Sequence, residues 1–460
     1  MSINSLRAVV GQAFSLPRCF FPQPTGYLPK TAGPNHMAIE HVTKTIKLQV
    51  ENLPEAIRDA KERLRRELPG YATVFQKIEN EMRRSVAEIV KEREAGETVI
   101  PVLHYSDIAA GAVSPAMISK IRDRGACIIR ETFAPEQARA WDDEIGRYVE
   151  ENGLTEKLAN AADDKYFGNL AAAKPQIYGI YWSRPQVQAR QSESLTRVRV
   201  FLNRLWVAES EGRRHIDPDQ APAYADRIRR RPPRASSLGL SPHVDGGSVE
   251  RWLAPNFRSV YRHVFSGDLQ EYDAFDAAFR PEAEEFPSPA VCSMFRTFQG
   301  WTALTRQGQG DGTLQLIPIA RSMPYILLRA LQDDVPETEL CGAQPGRALS
   351  VEPEWHALLL DALTPIPLMQ SGDTVFWHPD VVHAVENEHN GSGYSNVMYI
   401  GATVGCAKNS AYLDKQAAAF LSGKTPPDFA ADNFEVDFRG RATEADLTPL
   451  GRSQMGLRPL

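Results

Sequence analysis

The sequence predicts a β-rich core with α additions, and three observations support that prediction. From residue 238 onward, short apolar runs such as GTLQLIPI, TVFW and YSNVMYIGATVG recur between Gly and Pro residues, as strands separated by turns do. Residues 52–68 and 74–95 are dominated by charges, with apolar residues at spacings of three and four, which predicts two amphipathic helices. Residues 249–267 and 271–286 interrupt the strand-like runs and are predicted to be a helical insertion.

The elements before the β-rich region alternate in type. Residues 113–125 predict a helix, with Ser114 as its cap and Pro115 in its first turn. Residues 126–133 then predict a strand and residues 134–153 a helix that ends at a Gly. This order of a helix, a short apolar strand and another helix suits a segment that precedes a larger sheet in the chain.

Four segments follow from these patterns along the chain. We expect a disordered or targeting segment at 1–45, an N-terminal helical arm at 46–100, a core domain at 101–425 and a C-terminal tail at 426–460. The first 39 residues contain no Asp or Glu but include Arg7, Arg18 and Lys30. That composition is typical of an organelle transit peptide, and the alternative is a disordered tail.

Composition excludes several classes of protein. The 460 residues are 42% hydrophobic and 24% charged, which is ordinary for a globular chain with a large core. A net charge of −6 does not suggest a general nucleic-acid binder, and no run of about 18 apolar residues predicts a membrane span. The five cysteines form no CxxC pair, so neither a zinc knuckle nor a disulfide framework is expected. We therefore predict a cytoplasmic protein, with a mitochondrial location as the alternative.

The most informative short motif is His243-Val-Asp245 in SPHVDGGSVERW. His-x-Asp also occurs at 215–217 and 378–380, so the motif alone means little. The 243–245 pair, however, follows SLGLSP, which can form a strand, and residues two apart on a strand face the same side. The Gly-Gly pair that follows allows an immediate turn. An imidazole and a carboxylate would then converge on one point.

A site with two histidines and one carboxylate needs a second His from a distant strand. Such a set leaves three positions open on non-haem Fe(II). The candidates are His378 and His383 in QSGDTVFWHPDVVHAVEN, and both follow the strand-like TVFW. The pattern of the residues alone does not choose between them.

Three stretches resemble the phytanoyl-CoA hydroxylase-like branch of the Fe(II)/2-oxoglutarate-dependent oxygenases. GDTVFWHPDVVH is similar to its G-D-x-V-F-x-H-P-x-x-x-H motif, in which the second His binds the metal, FQGWTALT resembles its W-x-A-L strand, and GDGTLQLIP resembles its G-x-L-x-x-x-P strand. Together with the His-x-Asp pair at 243–245, they arrive in the family's order and cover about 150 residues. The whole chain also resembles the domain-of-unknown-function 1479 family.

The resemblance implies a fold, a set of metal ligands and an activity. The fold would be a double-stranded β-helix (jelly-roll, cupin-like) core with the helical arm and insertion added. The metal ligands would be His243, Asp245 and His383. The cofactors would be Fe(II) and 2-oxoglutarate, and the partners dioxygen and a small-molecule substrate. The reaction would be hydroxylation of that substrate, with 2-oxoglutarate decarboxylated to succinate.

One feature departs from the oxygenase pattern. Such enzymes hold the distal carboxylate of 2-oxoglutarate with an Arg shortly after the last metal His, but Tyr394 and Ser395 stand there and no Arg occurs from 384 to 438. A buried carboxylate needs a paired cation. Two alternatives therefore stay open: a cupin-like metal-dependent enzyme that does not use 2-oxoglutarate, or a non-catalytic ligand-binding relative.

Another part of the core could supply the missing cation. Arg296 in FRTFQGW is the first candidate, and Arg251 and Arg321 follow. We expect Arg296, Gln299, Trp301 and Ser395 to bind the cofactor or line its pocket. A basic run between residues 227 and 234 is instead predicted to be solvated surface, as most such runs are, with a nuclear address or an anion-binding rim as the alternatives.

Overall fold

The described part of the chain contains two main β-sheets, a two-stranded hairpin and many helices. In this computed structural model the described residues are 52–159, 176–235, 239–283 and 292–457, and they all lie within one unit, Lys47–Leu460. The predicted targeting or disordered segment at 1–45 lies outside the described residues.

Fifteen short strands occur in the described residues. In chain order they are β1 (Val102–His104), β2 (Ala126–Arg130), β3 (Ile177–Tyr178), β4 (Glu209–Ser210), β5 (Arg213–Arg214), β6 (Ile228–Arg231), β7 (His243–Val244), β8 (Arg296–Ala303), β9 (Leu314–Leu316), β10 (Leu349–Ser350), β11 (Thr364–Pro365), β12 (Thr374–Trp377), β13 (His383–Val385), β14 (Ser395–Tyr399) and β15 (Ala402–Thr403).

The strands form one large sheet, one smaller sheet and a small hairpin. The eight-stranded sheet has the order β1-β2-β12-β8-β14-β6-β3, with β15 also pairing β8. The five-stranded sheet has the order β10-β7-β13-β9-β11, and β4 pairs with β5 alone. Apart from the parallel pair β1 and β2, the paired strands are antiparallel.

Fifteen α-helices accompany the strands in the described residues. They are α1 (Leu53–Glu67), α2 (Tyr71–Glu94), α3 (Tyr105–Ala109), α4 (Pro115–Arg124), α5 (Pro135–Glu151), α6 (Leu154–Ala159), α7 (Arg184–Arg190), α8 (Glu193–Asn203), α9 (Glu250–Leu253), α10 (Pro255–Val260), α11 (Arg262–Ser266), α12 (Met323–Arg329), α13 (Pro353–Leu360), α14 (Ala407–Ser422) and α15 (Pro449–Gln454). None of these helices is both long and apolar enough to cross a bilayer.

The predicted early elements are present where the sequence places them. The two arm helices are α1 and α2, and the elements that follow are α4, β2 and α5. Asn52 caps α1 and Ser114 caps α4, each by accepting a hydrogen bond from a backbone N–H of the first turn. Of the predicted insertion, residues 249–267 are helical, whereas the described part of 271–286 contains only a 3₁₀ turn at Arg280–Glu282.

The described chain is mixed α/β, so the prediction of a mainly β protein needs correction. Most strands have only two to five residues, while α2, α5 and α14 have 24, 17 and 16. The apolar runs of the second half do form strands, but the turns between them occupy more residues than the strands do. The strand predicted before His243 is also shorter than expected, because β7 contains only His243 and Val244.

The longest strand, β8, organises the core around the site. It lies between β12 and β14, and a Cβ atom at Gly300 would stand 2.5 Å from the Phe376 ring and 2.8 Å from the Ile400 carbonyl oxygen. Only a glycine lets the neighbouring chains come this close. On either side of Gly300, Gln299 and Trp301 are therefore held at fixed positions in the sheet.

Candidate metal centre

The smaller sheet brings His243, Asp245 and His383 together. His243 on β7 is the cross-strand partner of His383 on β13, and their ring centroids are 4.2 Å apart. The Nε2 atoms of His243 and His383 each lie 3.6 Å from a different oxygen of the Asp245 carboxylate. One ligand atom from each residue lies within 4.8 Å of the other two. The three residues predicted to be metal ligands therefore surround one point.

Two glycines and Arg251 stabilise the turn that follows Asp245. Gly246 and Gly247 have φ angles of 89° and 114°, which residues with a Cβ rarely adopt. Arg251 Nη2 donates to the Asp245 carbonyl oxygen at 2.7 Å, and its Nε donates to the Gly247 carbonyl oxygen at 3.1 Å. The Gly-Gly pair thus allows the sharp turn that the sequence predicts. The two hydrogen bonds from Arg251, which belongs to the helical insertion, stabilise that turn.

Backbone carbonyls orient both imidazole rings. His243 Nδ1 lies 2.8 Å from the Ser241 carbonyl oxygen, and His383 Nδ1 lies 3.3 Å from the Val381 carbonyl oxygen. A proton on each Nδ1 would satisfy these contacts and leave the Nε2 lone pairs directed at the common point. This is the arrangement of a metal-binding histidine with a supporting hydrogen bond.

His378 has a different environment from His383. It stacks on Trp206 with ring centroids 4.8 Å apart. Its Nε2 lies 2.9 Å from the Ala274 carbonyl oxygen, and its Nδ1 accepts from the Asp380 backbone N–H at 3.0 Å. Both ring nitrogens are therefore engaged away from Asp245, and burial lowers the pKa of His378 to about 3.

The protonation states suit a divalent cation. Burial and the neighbouring His383 lower the pKa of His243 to about 4, so that its ring is neutral near pH 7. Burial opposes ionisation of Asp245, but His383, His243 and Arg296 together lower its pKa below the usual value. Asp245 Oδ1 is buried and finds no hydrogen-bond donor among the described residues. The neutral His243 imidazole, the His383 ring and an ionised carboxylate lacking a donor form a donor set that fits such an ion.

Two adjoining cavities meet at this centre. The first, here called the histidine chamber, is lined by both histidines together with Arg229, Trp301 and Trp377, among others. The second, the insertion chamber, is lined in part by Phe257 and Tyr261 of the helical insertion. The residues shared by the two linings are Asp245, Cys292, Arg296 and Gln299.

The structure places three of the four predicted cofactor residues at these chambers. Arg296 and Gln299 line both chambers, and Trp301 lines the histidine chamber. Ser395 belongs to neither lining, because its buried hydroxyl donates to Gln307 Oε1 at 2.7 Å. Of the other arginine candidates, Arg251 lines the insertion chamber, whereas Arg321 lies elsewhere and donates to backbone carbonyls of Leu269 and Tyr272.

The basic run between 227 and 234 is not the solvated surface that the sequence suggests. Ile228–Arg231 form β6, and Arg229 and Arg231 are only 4% and 2% exposed. Arg229 lines the histidine chamber and was missed by the sequence reasoning. No local signal distinguishes Arg229, because it is followed by two further arginines and the cross-strand neighbours of so short a strand cannot be read from the sequence.

The insertion chamber contains a charged cluster centred on Asp380. Arg280 Nη2 donates to this carboxylate at 2.7 Å, and the Tyr261 hydroxyl donates to it at 2.9 Å. Arg251 Nη1 lies 3.5 Å from the same carboxylate. Because Arg251 also holds the Asp245 turn, this cluster links the insertion to the candidate metal centre.

Comparison with protein families matches residues 51–457 to one family, Gig2-like. The chain belongs to the Gig2-like family. This match covers all of the described residues. It confirms the resemblance to the domain-of-unknown-function 1479 family, because a Candida albicans member carries both names.

Gig2-like relatives include bacterial and fungal proteins. The uncharacterized protein YbiU of Escherichia coli strain K12 is 45% identical over 404 residues, which are 87% of this chain and 96% of YbiU. A crystal structure from Salmonella typhimurium LT2, named as a candidate oxidoreductase, has 43% identity and a TM-score of 0.85, covering 88% of this chain and 98% of that one. The GlcNAc Inducible Gene 2 protein of Candida albicans has 26% identity and a TM-score of 0.74, covering 88% and 89%.

Proposed function

We propose that this Gig2-like protein is an Fe(II)- and 2-oxoglutarate-dependent oxygenase that hydroxylates a small molecule. The observation that carries the proposal is the convergence of His243 Nε2, His383 Nε2 and the Asp245 carboxylate on one point. Two imidazoles and one carboxylate are the ligand set of non-haem Fe(II) oxygenases. The similarity to a candidate oxidoreductase from Salmonella agrees with this class of reaction.

The chain's own residues would bind and orient the reactants. His243, Asp245 and His383 would hold iron from one side and leave its other side open to the chambers. When bound, iron and 2-oxoglutarate would supply the activation of dioxygen, with 2-oxoglutarate converted to succinate and carbon dioxide. The insertion chamber would bind the substrate, since it adjoins the metal centre at Asp245 and combines apolar and aromatic side chains with a few charged groups, as small-molecule sites do.

The aromatic residues of the chambers would limit access of water. Trp301 and Trp377 are 2% and 4% exposed and line the histidine chamber, and Phe257 and Phe295 line the insertion chamber. A site with such walls strengthens the electrostatic interactions inside it.

A second candidate function is a cupin-like metal-dependent enzyme without 2-oxoglutarate. The observation that favours it is the lack of an arginine on β14, where Ser395 bonds to Gln307 instead of facing the chambers. Such an enzyme would use the same three metal ligands.

The fold and domain boundaries belong to the same proposal. We propose that the two sheets are the two halves of a double-stranded β-helix, since both contribute to the candidate centre: β7 and β13 from the smaller sheet, β8 from the larger one. The core domain would span 101–425, with the arm at 46–100 and the tail at 426–460.

Anaerobic titration tests the proposed function. Fe(II) is added to metal-free protein, followed by 2-oxoglutarate, and the visible charge-transfer band of the chelated 2-oxo acid is recorded. We expect a band in the wild type and in His378→Gln, but none in His383→Ala, because only His383 faces Asp245. Gln is chosen at 378 because its amide can still donate to the Ala274 carbonyl oxygen.

Two results would count against this proposal. A band that survives in His383→Ala would mean that the metal lies elsewhere. The absence of any band in the wild type, with iron bound, would favour the cupin-like alternative. A melting temperature measured for each variant separates loss of the site from loss of the fold.

A further inference from the structure

Arg229 is a buried cation in the histidine chamber with no hydrogen-bond or ion-pair partner among the described residues. It is 4% exposed, and its Nε and Nη2 atoms have no acceptor in that part of the chain. No described carboxylate lies within ion-pair distance of its guanidinium. Arg229 nevertheless lines the same cavity as His243 and His383.

The neighbouring arginines of β6 have partners. Arg230 pairs with the Asp142 carboxylate at 3.1 Å. Arg231 donates to backbone carbonyl oxygens of residues 312, 386 and 387 at 3.0–3.1 Å. The lack of a partner is therefore specific to Arg229 and is not a general property of this strand.

Burial without an anion carries a free-energy cost. A buried charge is expensive unless it is paired and hydrogen-bonded, and burial lowers the pKa of Arg229 accordingly. An anion bound in the chamber would offset that cost. Such a ligand would also explain why an arginine, and not an apolar residue, occupies this buried position.

The other arginines of the chamber already have an anionic partner. Asp226 lies 3.5 Å from Arg227 Nε and 3.8 Å from Arg296 Nη1. Arg296, the first candidate from the sequence, therefore shares a carboxylate with Arg227, whereas Arg229 has none. An anion that enters the chamber would therefore be stabilised most by Arg229, whose charge is not already paired with a carboxylate.

We propose that the Arg229 guanidinium binds the distal carboxylate of 2-oxoglutarate, taking the role expected of an arginine on β14. This inference rests on the proposed function, since it requires the keto-acid end of 2-oxoglutarate to be at the metal centre. Arg229 is the cross-strand partner of Val397, so it reaches the chamber from the strand beside β14. A guanidinium suits the task because its planar donors match a carboxylate.

A second buried donor in the chamber indicates that its ligand carries hydrogen-bond acceptors. Trp377 Nε1 is buried and has no hydrogen-bond partner among the described residues. Trp377 lines the histidine chamber, and its ring centroid is 5.3 Å from that of His383. Carboxylate oxygens would satisfy such a donor, which an apolar ligand would leave unpaired.

The test compares two ligands that differ only in the distal carboxylate. Fe(II)-loaded protein is titrated anaerobically with 2-oxoglutarate and with 2-oxopentanoate, and Kd is read from the charge-transfer band. In Arg229→Gln we expect the affinity for 2-oxoglutarate to fall about 10- to 100-fold, the range for a charged hydrogen bond. The affinity for 2-oxopentanoate should stay unchanged, and so should iron binding.

Matched variants make the result decisive. Arg230→Gln, on the same strand but paired with Asp142 and outside the chamber lining, should keep the wild-type preference for 2-oxoglutarate, and Arg229→Lys should keep part of it, because a charge remains but the planar fork is lost. Equal weakening of both ligands in Arg229→Gln would indicate a structural role and overturn the inference. Loss of the preference in Arg296→Gln alone would also overturn it. A wild type that binds iron but gives no band would refute the proposed function itself.

Discussion

Asp245→Ala is expected to lower Fe(II) affinity and 2-oxoglutarate turnover by more than about 100-fold without unfolding the protein. Residues that merely support a metal ligand cost about 10- to 100-fold when they are replaced, so loss of a direct ligand should cost more. The fold should survive because Asp245 Oδ1 has no hydrogen-bond donor among the described residues, and the turn is held through backbone atoms by Arg251. Anaerobic iron titration, succinate formation and thermal unfolding would be measured on the same preparation.

Asp219→Ala is a suitable control for Asp245→Ala. Asp219 pairs with Arg204 at the surface, where both side chains are more than half exposed, so iron affinity should not change. Full turnover in Asp245→Ala would contradict the assignment of the metal centre. Collapse of the fold in that variant would contradict the claim that the carboxylate has no structural role.

Asp380→Ala is expected to destabilise the protein by about 3–5 kcal/mol, the usual cost of removing one partner from a buried ion pair. Asp380 is 2% exposed and accepts hydrogen bonds from Arg280 and Tyr261, with Arg251 at 3.5 Å. Its removal leaves two buried guanidinium groups without their carboxylate. The free energy of unfolding in denaturant would be compared with that of the wild type.

The same Asp219→Ala variant sets the scale for a surface charge. Exposed ion pairs contribute about 0–1 kcal/mol, so it should change stability little. A loss of less than about 1 kcal/mol in Asp380→Ala would mean that water or neighbouring donors compensate the arginines. The cluster would then be too loose to hold the Asp245 turn through Arg251.

The sequence predicts those parts of the site that depend on local pattern. Asp245 and His243 lie two residues apart beside a Gly-Gly pair, so their convergence follows from strand and turn geometry. The helices α1, α2 and α5 follow from their apolar periodicity and terminal residues. In these parts of the molecule, the conformation of a residue depends mainly on its neighbours in the sequence.

The parts that depend on distant strands were harder to predict. The choice of His383 over His378 came from family resemblance, and the physical difference is that Trp206 and the Ala274 carbonyl oxygen engage His378. A run of arginines is usually exposed, so the sequence predicts a surface position for Arg229. Its burial depends on pairing of β6 with β14, more than 160 residues later, which no local pattern reveals.

The most direct test of the metal centre is to locate iron in a crystal. Crystals of the wild type would be soaked with Fe(II) under anaerobic conditions, and anomalous scattering would be recorded at the iron edge. We predict a single strong peak bound by His243 Nε2, His383 Nε2 and the Asp245 carboxylate. A peak coordinated by other side chains, or no peak at this point in crystals that contain iron, would contradict that assignment.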